Sequence, residues 1–134
     1  MPEQTSVGLL DTSVIIDLEK LDTADLPEQV AICAVTMAEL AAGPSATSDP
    51  AERARRQDRL QRTEAAFDPL PFDTEAARAF GRISAAVLAA GRRPQSRFAD
   101  LLIAAVALAE GIPLVTRNPA DFAGLDQLLE IIEV

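Results

Sequence analysis

The chain has 134 residues, a net charge of −9, and 49% apolar against 25% charged residues. That balance fits one globular domain over residues 1–134 and excludes a disordered chain. A lone cysteine, Cys33, excludes an internal disulfide and a cysteine-built zinc site. The absence of histidine excludes Ser/His or Cys/His catalysis and a histidine-ligated metal. No apolar run approaches the ~20 residues a membrane span needs, and the start has no charged-then-apolar leader pattern, so no membrane and a cytoplasmic location are expected.

The charge is uneven. Residues 1–50 carry net −8, residues 51–97 net +4 with ten arginines, and residues 98–134 net −5. Eleven of the twelve bases are arginine, whose planar fork suits phosphate and carboxylate contacts. The alternative for this basic third is a solvated helix face.

In chain order, Val7-Gly8-Leu9-Leu10 predicts a strand ending at Asp11, and a helix follows from Ser13 to about Leu21. Residues 30–35 predict a second buried strand. Thr36 opens a helix that Gly43-Pro44 stops, and residues 43–50 read as loop. Residues 51–67 favour a surface helix with a thin stripe of Ala54, Leu60 and Phe67. Leu70-Pro71-Phe72 is an edge-strand candidate, because proline cannot donate to a ladder. A helix from Thr74 to Gly91 turns Ala77, Phe80, Ile83, Ala86 and Val87 to one side. Phe98 to Glu110 is apolar nearly all round and predicts a buried helix, with Phe98 and Phe122 both expected in the core. Residues 112–116 and 129–134 predict the last strands. Alternating strands and helices imply an α/β fold with a mostly parallel sheet, which binds ligands at its carboxyl edge.

Four acids fall at that edge: Asp11, Glu39, Asp100 and Asp121. Each has a structural alternative. Thr36 and Glu39 match a capping box; Asn118-Pro119 with Asp121 matches a helix start; Asp100 faces a positive helix end; Asp11 caps a turn. Jointly, carboxylates gathered at one edge repel one another unless a cation is present, and an all-oxygen set suits Mg²⁺ or Mn²⁺. That pattern predicts metal-assisted phosphoryl chemistry. Ser13 and Thr116 have hydroxyls at the same edge that would position a carboxylate or a phosphate. Arg92, Arg93 and Arg97, with Arg117 beside the site, are the candidates for phosphate contacts.

The segments LLDTSVIIDL, AVTMAEL, FADLLIAAVAL and PLVTRNPADF, in this order and spacing, resemble the PIN-domain ribonucleases, specifically VapC-type toxins of bacterial toxin–antitoxin pairs. The resemblance implies a PIN-like three-layer α/β/α sandwich around a mostly parallel five-stranded sheet of order 3-2-1-4-5. It implies an Mg²⁺-dependent endoribonuclease, with Mn²⁺ a possible substitute, whose acidic centre carries over to Asp11, Glu39 and Asp100. Relatives of this kind often have Asp two residues beyond the strand-end threonine; here that residue is Asn118, and Asp121 is the candidate for the fourth charge. A homodimer and a VapB-type antitoxin covering the acidic groove are implied as well.

The LLDTS start is also similar to haloacid-dehalogenase-type phosphatases. Those need a second Asp where this chain has Ser13, and a later lysine where none follows Lys20. A silent interaction module is the remaining rival.

Overall fold

Side-chain alternation along β1 (Val7–Leu10) decides where the layers lie. Leu9 packs into one core cluster and Leu10 into another, because successive strand residues face opposite ways. The neighbouring strand β3 (Leu114–Thr116) repeats the division: Leu114 joins Leu9 and Val115 joins Leu10. The structure, a computed structural model, describes residues 6–134. Its sheet is parallel throughout and has the order β2-β1-β3-β4, with β2 at Gln29–Ala31 and β4 at Ile131–Glu133.

The helices cover both faces. α1 (Thr12–Ile16), α2 (Ala34–Ala42) and α3 (Pro50–Ala66) contribute Val14, Leu40 and Leu60 to the cluster around Leu10. α4 (Thr74–Ala89) and α5 (Phe98–Glu110) contribute Ile83, Val87 and the buried run Ile103–Ala107 to the cluster around Leu9. The result is the expected three-layer sandwich. Gly111 ends α5 in the left-handed conformation at φ 68°, where a side chain is strained. Gly8 is required by a close approach: a Cβ there would lie 2.7 Å from Val115 Cγ2 and 2.9 Å from Pro27 Cγ.

Four strands form among the described residues where five were expected. The missing one, at Leu70, is a single parallel bridge to Cys33, with Leu70 N–H donating to the Ile32 carbonyl and Ala34 N–H to the Leu70 carbonyl. Pro71 has no N–H, so the ladder stops after one residue. Counting that bridge as the third strand gives the order 3-2-1-4-5.

Other boundaries move for local reasons. The helix expected over residues 13–21 stops at Ile16 and continues as a 3₁₀ turn over Leu18–Lys20. The second strand ends at Ala31, so α2 begins at Ala34, two residues before Thr36. The buried stripe of α4 is Ala76, Ala79, Ile83 and Val87, and Ala77 is exposed. Phe122 is in the core as expected, but Phe98 is 53% exposed and packs edge to face with Phe80.

Candidate active site

The strand order places a switch point between β1 and β3, since the chain leaves β1 toward β2 on one side and β3 lies on the other. A crevice opens beyond the carboxyl ends of such a pair. Asp11 follows β1 directly, and its N–H donates to the Val115 carbonyl of β3.

The Asp11 side chain is 3% exposed and accepts three hydrogen bonds. Ser13 Oγ donates to its Oδ1 at 2.5 Å, Thr116 Oγ1 donates to its Oδ2 at 2.5 Å, and Val14 N–H donates to Oδ1 at 3.2 Å. The last bond is a helix cap, so the structural reading of Asp11 describes one of its three bonds. Ser13 Oγ accepts from Arg117 N–H at 3.1 Å, and Thr116 Oγ1 accepts from Asn118 N–H at 2.9 Å. Those amides turn both hydroxyl protons toward the carboxylate. The three candidates Ser13, Thr116 and Asn118 therefore fix the position of Asp11.

Glu39 is not a capping-box residue. With α2 starting at Ala34, Glu39 lies mid-helix, and its Oε1 accepts from the Thr12 hydroxyl at 2.6 Å. Thr36 is buried, with its hydroxyl oxygen 3.2 Å from that of Thr12. Thr12 has one proton to give, and the shorter contact is to the glutamate. Sequence reasoning passed over Thr12. The available signal was its place beside Asp11 at the first residue of a helix.

Asp121 lies in a 3₁₀ turn, Pro119–Phe122, whose Asn118 start makes no side-chain cap. Its carboxylate instead pairs with Arg97 at 3.2 Å. Asp100 is in the first turn of α5, which also lacks a side-chain cap. Its carboxyl is pushed up from 3.8 to about 6, first by burial and then by the negative charges of Asp121, Glu39 and Asp11, against a smaller opposing effect of Arg97. A positive helix end alone would lower that value, so burial and the surrounding acids together outweigh it.

The four acids share one edge and one electrostatic field. Among the described residues no three of them stand close enough to form a closed three-ligand metal cage. Glu39 borders a cleft with Thr12 and Arg56, and Asp121 borders a separate notch with Arg92, Arg93 and Arg97. The donor chemistry still fits Mg²⁺, which keeps several waters and takes one or two carboxylates rather than a full protein cage. Of the candidate phosphate contacts, Arg117 lies 3.8 Å from Asp17, Arg97 pairs with Asp121, and Arg92 donates to the Ala120 carbonyl at 3.1 Å. No helix among the described residues is long and apolar enough to cross a membrane.

The sequence matches the PIN domain family over residues 8–128. It is 40% identical, over all of both chains, to ribonuclease VapC5 of Mycobacterium tuberculosis, and 41% identical to ribonuclease VapC8 of the same species over 78% of this chain and 93% of that one. The fold superposes with a TM-score of 0.85 on a crystal structure of VapBC-5, a member of the VapBC family of toxin–antitoxin systems from M. tuberculosis. That match has 41% identity and covers 96% of this chain and 99% of the other.

Proposed function

Because the chain belongs to the PIN-domain family, in its VapC-type ribonuclease branch, we propose that it is the toxin of a type II toxin–antitoxin pair and hydrolyses RNA phosphodiester bonds with Mg²⁺, or Mn²⁺ in its place. The observation that carries this reading is the gathering of acids at the sheet's switch point: Asp11 fixed by Ser13 and Thr116, Glu39 held by Thr12, and Asp100 close enough to them and to Asp121 that their charges, with burial, push its carboxyl up to about 6. Uncompensated negative charge of this kind is what a divalent cation relieves.

Asp11, Glu39, Asp100 and Asp121 are the groups that would hold the cation. When bound, it lowers the pKa of a water and offsets the charge that develops on the phosphate oxygens. The chain's own residues do the positioning. Ser13 and Val14 N–H occupy Oδ1 of Asp11 and Thr116 holds Oδ2, which keeps one acceptor position. Thr12 fixes Glu39. Among the described residues Asp100 has no such hydrogen-bond anchor, and burial with the neighbouring acids pushes its carboxyl up to about 6, a cost that a bound cation would relieve. Arg92, Arg93, Arg97 and Arg117 supply positive charge beside the acids for the RNA backbone. A VapB-type antitoxin and a second copy of the chain are the proposed protein partners.

The test is cleavage by protein freed of any partner. Cutting of RNA with Mg²⁺ is expected to stop with EDTA and to fall at least about 100-fold in folded Asp11→Asn and Asp100→Asn. Wild-type protein that leaves every RNA intact with both Mg²⁺ and Mn²⁺ overturns the reading.

A further inference from the structure

Half of the ten arginines of the basic third have an acidic partner within 4 Å among the described residues. On α3, Arg55 and Arg56 pair with Glu52, and Arg62 pairs with Asp58 and Glu19; on α4, Arg78 pairs with Glu75. The segment between α4 and α5 differs. Arg92, Arg93, Ser96 and Arg97 line a notch of about 230 Å³ that Asp121 also borders. Three guanidinium groups there face one carboxylate, and among the described residues only Arg97 has an acidic partner within 4 Å. In a chain of net charge −9, this is a local surplus of positive charge.

The notch is braced. Arg92 donates to the Ala120 carbonyl and Arg97 pairs with Asp121, so two of the three guanidinium groups are tied to the turn that carries the fourth acid. Each guanidinium has five N–H donors, and these contacts use few of them. The backbone is stiff as well: Pro94 is buried and opens the 3₁₀ turn Pro94–Arg97. Donors held in place before binding lose little entropy on binding. The notch is smaller than the roughly 300–1,000 Å³ of sites that enclose a drug-sized ligand, which suits a small anion. Asp121 borders both this notch and the acidic edge, so an anion seated here lies beside the acids.

We propose that this notch is a phosphate subsite, which seats one phosphate of the RNA strand next to the bond being cut, with Arg93 and Ser96 as its free contacts and Arg92 and Arg97 as its braced walls. The proposal rests on the ribonuclease reading above and adds an anchor to it. A strand drawn across an acidic edge needs a positive hold to one side of that edge, and the notch, with three arginines to one carboxylate, adjoins it at Asp121. Arg117 is outside it, held toward Asp17.

Binding of a short fluorescein-labelled single-stranded RNA in EDTA tests the subsite without cleavage. Arg93→Ala is expected to weaken binding about five- to tenfold and to reduce the slope of log affinity against log salt by about 0.7, the value for one phosphate contact on a single strand. Ser96→Glu, which adds a carboxylate to the notch, is expected to weaken binding at least as much, with circular dichroism unchanged. Arg82→Ala, on the exposed side of α4, is expected to bind as wild type. RNAs with a 5′-phosphate or a 5′-hydroxyl separate the two sources of the anion. An equal loss on both assigns an internal phosphodiester, and a loss confined to the former assigns a strand end; both support the subsite. Wild-type affinity and salt slope in Arg93→Ala and Ser96→Glu overturn it, as does a loss confined to binding of an acidic protein partner. Those results leave Mg²⁺-dependent cleavage in place, whereas a wild type that binds RNA through Arg93 but never cuts it removes the ribonuclease reading alone.

Discussion

Thr116 shows how much a single hydroxyl does at this edge. It is fully buried, donates to Asp11 and accepts from the Asn118 amide. Thr116→Val is nearly isosteric but leaves a buried carboxylate oxygen and an amide without partners. Denaturant unfolding is expected to show a loss of about 1–3 kcal/mol, and cleavage is expected to fall about 10–100-fold through misplacement of Asp11. Asp100 behaves in the opposite sense. Its carboxyl titrates near 6 in the folded chain against an ordinary 3.8, so the fold holds this proton more tightly than the unfolded chain does. The resulting stability is complete below pH 3.8 and is lost as pH rises through about 6. Above that, Asp100→Asn is expected to be the more stable protein without metal, by about 1 kcal/mol once solvent screening of a partly exposed group is allowed for. Thermal melts of both proteins in EDTA from pH 4 to 8 check this. A variant less stable than wild type at pH 8 would mean that Asp100 serves the helix end rather than the acidic edge.

At the scale of elements, the site depends on β1 and β3 lying tightly together, because Asp11 and Thr116 come from their adjacent ends. Gly8 permits that approach together with the passage of Pro27. Gly8→Ala places a methyl against Val115 Cγ2 and Pro27 Cγ, and overpacking of this kind costs about 1–3 kcal/mol. A drop in the urea midpoint without a change of slope is the expected readout. α2 gives a second example. Its start at Ala34 rather than Thr36 moves Glu39 from a capping position to one from which it meets Thr12 of α1. Thr12→Val is expected to cost activity that Thr12→Ser restores, which a purely structural methyl contact would not do.

For the whole molecule, a charge of −9 with much of it at one edge makes the metal-free protein sensitive to ions. Mg²⁺ or Mn²⁺ at a hundred times its dissociation constant is expected to stabilise the fold by about 2.7 kcal/mol. The shift in melting temperature is expected to shrink in Asp100→Asn and to be absent with Na⁺ at equal ionic strength. An identical shift in the variant would place the cation elsewhere.

The fold class was legible in the sequence because strands of four to six apolar residues alternate with helical periods, and that pattern is local. Asp11 and Asp100 were legible as edge candidates because one follows a strand and the other stands in the first turn of a helix; Glu39 was singled out from a helix start that the structure places two residues earlier. Thr12 was not, because its role depends on residues 24 and 27 positions away meeting it across two helices. Nor was the bracing of Asp121 by Arg97, since nothing in spacing sets which of several arginines reaches a given turn. Periodicity and composition by themselves determined the α/β class, the sheet edge and the all-oxygen character of the candidate site. Only tertiary packing decided which hydroxyl holds which carboxylate and which arginines stay unpaired, because hydrogen bonds and ion pairs act over a few ångströms and the chain brings distant residues that close only when it folds.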